Sequence, residues 1–398
     1  MWKSPCSADF VVIGGGIGGL AAALQIVRRG VGNVVVLERA PEFGEVGAGL
    51  QLAPNASRVL DELGVLDAVS GTAFRPERLV LRDIVEGDEI TALRTGEGFT
   101  DRYGYPYLVA HRVDVHRALL EACAAEDGVT LVPGVTVSEV TQDADGVVVH
   151  CDGGARYSGS AAIGADGIAS TVRQQLIEDG PPVATGYVAY RGTVPAEDVK
   201  ASTGGSELTD MVIWIGPGIH LVQYPVRGGR LCNQVAVFRS DVFTADPGAG
   251  EWGTPAEFEE RFRCATWQVR RSIELMDTSR RWEMYDRPPT PGWASGRIAL
   301  LGDAAHPMLQ YLAQGACQAL EDSRALGSSL AGAADIGPAL KDYERQRYPR
   351  AAVVQTKARA FGEILHADGA LAAMRNYFLR RRSDTDYEPV DWLYVPDG

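Results

Sequence analysis

Cysteine, histidine and positive charge are scarce in this sequence, and each scarcity removes a class of function. Among 398 residues there are six cysteines and six histidines. Cys6, Cys123, Cys151, Cys232, Cys264 and Cys317 never occur in C-x-x-C spacing, and none shares a zinc-ligand frame with a histidine. A chain this long needs no covalent staple, so free thiols in a reducing compartment are expected. His111 and His116 miss the H-E-x-x-H frame, and no metal is assigned. Lysine and arginine total 38 against 52 acids, a net charge of −14. That charge repels phosphate backbones and argues against a nucleic-acid partner. The one dense basic run, Arg380-Arg381-Arg382, reads as a solvated helix end. The N-terminus lacks the basic-then-apolar order of a secretory leader. Residues 10–27 carry no charge, but five glycines interrupt them, and no membrane span is expected. Repeats and low-complexity tracts are absent too. These exclusions leave a cytoplasmic globular protein as the expectation.

What is present begins with length, which at roughly 150 residues per domain implies two to three domains. Residues 9–13 read as a short buried strand, followed by Gly14-Gly15-Gly16-Ile17-Gly18-Gly19. Residues 20–29 have helical composition, closed by Gly30 as a C-cap. A second β-branched run, 33–37, ends in Glu38-Arg39. Gly14, Gly16 and Gly19 fit G-x-G-x-x-G, and Glu38 falls nineteen residues beyond the last of them. Such glycines permit a tight turn and close approach of a pyrophosphate to a helix N-terminus, and the acid accepts from a ribose. A lone G-x-G-x-x-G is weak. Strand, turn, helix, strand and acid in one frame specify a dinucleotide site.

Downstream, residues 129–165 alternate short strands with turn signals, and Asp145-Gly146 marks a hairpin. After Gly180-Pro181-Pro182 the composition shifts. Runs at 187–194, 211–215, 220–224 and 234–238 read as strands of an antiparallel sheet inserted into the first domain. Beyond Pro288-Pro289-Thr290-Pro291 another buried strand is expected at 297–301. Amphipathic helices are expected from Gly315 to Asn376.

Three further segments complete a pattern. They are His111-Arg112-Val113-Asp114, then Gly164 to Arg173 with Asp166-Gly167 at its centre, then Gly302-Asp303-Ala304-Ala305-His306-Pro307. With the first motif, in this order, they resemble the FAD-dependent aromatic hydroxylases, the group of p-hydroxybenzoate and salicylate hydroxylase, over nearly the whole chain. The resemblance implies an α/β fold: a Rossmann-like FAD-binding domain of the p-hydroxybenzoate hydroxylase type, an inserted antiparallel-sheet substrate domain, and C-terminal helices. The expected division is 1–183 with 278–330 for FAD, 184–277 for substrate, and 331–398 for the helices. It further implies FAD, dioxygen, a small aromatic acid, and NADH as co-substrate with NADPH left open. Only one G-x-G-x-x-G is present, so the nicotinamide is expected to bind transiently. Homodimers are common in the group.

Each matched residue has a physical job beside a plainer alternative. Asp303, at a strand end, would accept from ribityl hydroxyls; an aspartate there also caps turns. Arg112 offers a planar donor fork to pyrophosphate or ribityl oxygens, or makes a surface ion pair. Asp166 with Arg173 resembles a motif linked to FAD and the nicotinamide, or else ends a strand and salts a helix. Gly315 and Ala316 begin a helix whose N-terminus, by the family's placement, faces the isoalloxazine and stabilises the anionic reduced flavin. The resemblance assigns Arg39 and Gln51 to the cofactor as well.

Within the family, residues 42–51, Tyr190-Arg191-Gly192, Gln223-Tyr224-Pro225, 309–313 and the tail at 385–393 are similar to the members that hydroxylate 3-hydroxybenzoate. That likeness implies gentisate as product, formed through a flavin hydroperoxide. An electrophilic oxygen needs an electron-rich ring, and deprotonating the phenol supplies one. His220 is the candidate base. In a strand, His220, Val222 and Tyr224 share a face, suited to an aromatic floor. Gln310 matches a neutral group that bonds the phenol oxygen beside His220. Tyr107 and Tyr224 are candidates for donating to the substrate carboxylate. His306 fits flavin packing better than proton transfer. Salicylate 1-hydroxylase and 6-hydroxynicotinate 3-monooxygenase, which expel carbon dioxide, are the alternative; the latter is similar around His220 and Tyr224 but departs at Gln310. A flavin-binding sensor without turnover is the non-enzymatic reading.

Overall fold

The computed structural model describes residues 6–45, 47–204, 208–244 and 251–395, with side chains from residue 8 onward. The Cys6 side chain and Val46, both part of the sequence readings above, lie outside the described residues. Phe10–Ile13 and Val34–Leu37 are four-residue apolar runs buried throughout, as interior strands covered on both faces must be. They form the middle of a six-stranded sheet in the order Ala294–Ser295, Ile298–Leu300, Ala161–Gly164, Phe10–Ile13, Val34–Leu37, Val129–Val132. All neighbours are parallel except the first pair. Helix Ile17–Arg28 closes the first crossover, and its run from Gly19 to Ile26 is buried. Each large apolar side chain so covered contributes ~1.5–3 kcal/mol. The charge-free stretch is therefore strand, turn and core helix. No helix among the described residues is long and apolar enough to cross a membrane.

A second, seven-stranded sheet runs Trp282–Asp286, Val183–Pro195, Leu231–Arg239, Ile219–Val226, Met211–Gly216, Arg78–Asp83, Glu89–Arg94. All its pairs are antiparallel except Met211–Gly216 with Arg78–Asp83. The four expected strands are present, each longer than its apolar run. The sheet is not confined to 184–277, however, because the hairpin from Arg78 to Arg94 and the strand Trp282–Asp286 complete it. The hairpin carries Arg78, Arg82, Glu89 and Arg94, and it pairs with a strand more than a hundred residues away. Neither feature is visible in a local apolar pattern.

The expected hairpin forms between Val137–Gln142 and Val147–Cys151. Helices Gly315–Leu330, Ile336–Leu365, Gly369–Leu379 and Glu388–Tyr394 close the chain, reaching beyond residue 376. Arg380-Arg381-Arg382 does follow a helix end, with Arg381 donating to the Tyr377 carbonyl. The five cysteines whose side chains are described are free thiols, and no cluster of potential metal ligands occurs among the described residues.

Candidate active site

A cleft of about 1040 Å³ runs between the two sheets and under the C-terminal helices. One end is built by the first crossover. Gly14 has φ +111°, and a Cβ on it would lie 2.2 Å from the Ala165 carbonyl oxygen. A Cβ on Gly19 would lie 2.0 Å from the Gly14 carbonyl oxygen. Both glycines are thus demanded by the fold itself. Gly16 is different: a Cβ there meets nothing closer than Glu45 Oε1 at 3.8 Å. Its backbone faces the cleft at the N-terminus of Ile17–Arg28, whose first turn has neither an acid nor a side-chain cap. Free N–H groups there suit an anion. Glu38 Oε2 accepts from Gly15 N–H and Oε1 from Ala40 N–H, both at 2.8 Å, which fixes the carboxylate at the cleft wall beside exposed Arg39.

Further along, Asp303 lies in a single 3-10 turn after strand Ile298–Leu300. Its carboxylate is deep in the molecule yet open to the cleft, and no described residue hydrogen-bonds it. Desolvation raises its pKa, against the pull of His306 and Arg112. An acceptor pair left without protein donors in a cleft wall fits ligand hydroxyls. Beside it, Gly315 and Ala316 open a sixteen-residue helix with no acid in its first turn and no side-chain cap at Gln314. Arg112 pairs with Glu45 at 2.9 Å through one side of its fork, which leaves further guanidinium donors at the cleft wall for a ligand. Asp166 accepts from Thr171 N–H at 2.8 Å and from Ser170 Oγ, capping helix Thr171–Leu176 at the cleft edge. Arg173 faces away from the cleft. It is fully buried, donates to the carbonyls of Ala304 and Ala305, and pairs with Asp179. Its work is to anchor the loop that carries Asp303.

The other end is the wall of the large sheet. His220, Val222 and Tyr224 all line it, on the shared face the alternation requires. His220 is buried, and its Nδ1 lies 2.7 Å from Nε2 of His366. Burial, with His366 adding to it, holds the His220 pKa well below the ordinary histidine value. Gln310 also lines the cleft, in a short 3-10 turn followed by Ala313 in the left-handed region at φ +53°. Tyr107 donates to Gln51 Oε1 at 2.6 Å, and that commits the hydroxyl to the protein. Gln51, expected at the cofactor, also neighbours Tyr224, and so sits between the two tyrosines. Arg191 projects from the adjoining strand in register with Val235 and Val222. Its guanidinium lies 4.7 Å from the Trp282 ring centroid and has no acidic partner among the described residues. Burial, then Arg112 and Arg280, lower its pKa. His306 is fully buried 2.5 Å from Asp322 and against Trp293, away from the cleft lining.

Residues 7–358 match the family model described as FAD binding domain. The chain belongs to the FAD-binding aromatic hydroxylases. It is 41% identical over 396 residues to "3-hydroxybenzoate 6-hydroxylase" of Polaromonas naphthalenivorans (strain CJ2), covering 99% of this chain and 97% of that one. It is 37% identical to "3-amino-4-hydroxybenzoate 2-monooxygenase" of Streptomyces cremeus, covering 96% and 94%. Among solved structures, Klebsiella pneumoniae HpxO complexed with FAD and uric acid superposes with a TM-score of 0.82 at 27% identity, over 99% of this chain and 98% of that one. As a family member this aromatic hydroxylase binds FAD and is a flavin-dependent monooxygenase acting on a substituted benzoate or related aromatic acid.

The residues that would hold FAD in this hydroxylase are those with unmet valence toward the cleft. They include the Gly16 backbone, Asp303, the Gly315 helix terminus and the free donors of Arg112. Sequence reasoning missed His366 and gave no role to Arg191. His366 lies 146 positions from its partner, follows a helix end, and belongs to no motif, so nothing local announces it. Arg191 was in a matched segment, but its lack of a counter-ion is a property of the assembled cleft alone.

Proposed function

We propose that the enzyme hydroxylates 3-hydroxybenzoate para to its hydroxyl, giving gentisate, with NADH as electron donor and NADPH left open. The observation that carries the reading is the buried, uncharged His220 on the cleft wall with its Nδ1 engaged inside the protein. A free phenol ionises near ~10 and histidine near ~6.5, so ionisation needs a site favouring the phenolate. His220 Nε2 takes the phenolic proton. The Gln310 amide donates to the oxygen left behind. The substrate carboxylate meets Tyr224 and Arg191, a cation with no ion-pair partner among the described residues; Tyr107, engaged with Gln51, orients that wall. Leu365, Leu379 and Leu393 from the C-terminal helices cover the cleft and keep water from the ring. FAD, when bound, supplies the activation of dioxygen. A phenolate directs attack ortho and para with similar barriers, so the pose chooses the carbon. The name of the Polaromonas relative supports position 6.

Product chromatography tests this with 3-hydroxybenzoate and salicylate supplied separately. Gentisate from the first is expected. Catechol and carbon dioxide from salicylate, with no gentisate from 3-hydroxybenzoate, would overturn the reading in favour of decarboxylative hydroxylation. NADH consumption alone does not decide, because a non-substrate acid can stimulate flavin reduction.

A further inference from the structure

The second nitrogen of His220 determines what the first can do. At 2.7 Å, one of the rings of His220 and His366 donates and the other accepts. If His220 donates from Nδ1, its Nε2 presents a lone pair to the cleft. If His366 donates, His220 presents an N–H there and no basic nitrogen faces the substrate. His366 is the C-cap residue of Ile336–Leu365. Its ring stacks on Tyr187, with centroids 4.8 Å apart and planes at 13°, and meets the Tyr311 edge at 5.4 Å. Gly362 makes room for Tyr311, since a Cβ there would lie 2.5 Å from that ring.

The charged groups around the pair are mainly cationic. Arg375, from Gly369–Leu379, donates to the carbonyls of Ile364 and Leu365, and Arg261 approaches from Pro255–Arg261. Glu363 acts on Tyr187 and Tyr311, and no carboxylate bonds either imidazole among the described residues. Burial first, then Arg261 and Arg375, lower the His366 pKa to about 4. His366 is therefore neutral, and a neutral imidazole can accept at one of its nitrogens.

We propose that His366 is the positioning residue of the base: it accepts the Nδ1–H of His220 and so holds Nε2 of His220 unprotonated toward the phenol. This rests on His220 being the base, as read above. In the step, the phenolic O–H bond breaks, its proton bonds to Nε2, and the electron pair stays on oxygen. The Nδ1–H bond to His366 strengthens as His220 becomes cationic. A carboxylate in the place of His366 would raise the His220 pKa and favour its cationic form. A second imidazole orients it while leaving it free to accept a proton near neutral pH.

The test uses FAD-loaded protein and two readouts. One is the absorbance of bound 3-hydroxybenzoate as phenol or phenolate across pH, without NADH; the other is kcat and KM. His366→Gln keeps an acceptor oxygen and is expected to ionise the bound acid as the parent does, with kcat within ~3-fold. His366→Leu is expected to lose the phenolate signal and ~10–100-fold in kcat at near-constant KM and full flavin content. Parent-like ionisation in His366→Leu, or equal loss in the Gln protein with full flavin, overturns the proposal. Should the Leu protein fail to bind FAD, the Gln protein decides alone: retained ionisation supports the proposal and lost ionisation overturns it. His220→Ala separates the two readings. If it too ionises the acid, the base assignment fails; if it does not while His366→Leu does, only the role of His366 fails.

Discussion

Gly16→Ala should separate cofactor binding from folding. Gly16 has φ −75° and ψ −177°, which any residue adopts, and the new methyl would meet only Glu45 at 3.8 Å. Restricting the unfolded chain favours the variant by ~0.4–1 kcal/mol, and placing Ala at a helix N-cap costs about as much. The flavin-free protein should therefore melt as the parent does. The methyl does occupy the space a pyrophosphate needs in order to reach the helix N–H groups. Each charge-assisted bond lost there costs ~1.5–3 kcal/mol, or roughly 10–100-fold in Kd. Gly19→Ala is the control, because its Cβ would lie 2.0 Å from a backbone oxygen and must strain the crossover. Thermal melts of flavin-free protein and fluorescence titration with FAD measure both quantities. An FAD affinity within ~3-fold of the parent, or a melt lowered as far as in Gly19→Ala, would refute the assignment of that open side to the dinucleotide.

Asp303→Ala should weaken FAD by roughly 10–100-fold, the worth of one charge-assisted bond, without lowering the flavin-free melt, since burial already disfavours this carboxylate. Undiminished flavin content would remove Asp303 from the site. His220→Ala should cut hydroxylation by ~10²–10⁴ while FAD binding survives and peroxide release rises relative to product; unchanged coupling would return His220 to a core role. Arg191→Met should raise KM for the aromatic acid by ~10-fold or more, as loss of a charged contact does, and an unchanged KM would place the carboxylate elsewhere. Stability should also depend on pH through His366. The unfolded ring protonates near ~6.5 and the folded one near about 4, so the unfolded state binds more protons between those values. Stability therefore falls as pH drops from ~6.5 towards 4, by up to ~3 kcal/mol, and His366→Gln should flatten that limb in urea titrations; an equally steep limb in the variant would contradict the assignment.

The crossover at residues 10–38 was legible because strand, glycine turn, helix and acid are local, and each constrains the next within a few residues. The shared face of His220, Val222 and Tyr224 was legible for the same reason, since strand alternation is a local rule. The Arg78–Asp83 strand escaped because its partner, Met211–Gly216, is remote and its own outward residues are charged. Arg112 and Asp166 show a different limit. Their residue types suit a cofactor, and the protein partners they also hold, Glu45 and the first turn of Thr171–Leu176, become visible only in the fold. Side-chain chemistry is readable in a sequence, whereas competition for it is settled only when distant segments meet.

The interleaving of the two sheets constrains how the protein is born. Residues 78–94 leave the ribosome before strand Met211–Gly216 exists to pair with them, so the nascent hairpin must wait with an unsatisfied edge. Strand Ile298–Leu300, which precedes Asp303, comes later still, and His366 follows both. A growing chain can thus assemble the glycine turn early, but it cannot close the flavin cleft until the helices after Gly315 have been made. A polypeptide that stopped between Asp303 and Ile336 would carry the dinucleotide turn and lack the helices that cover the cleft.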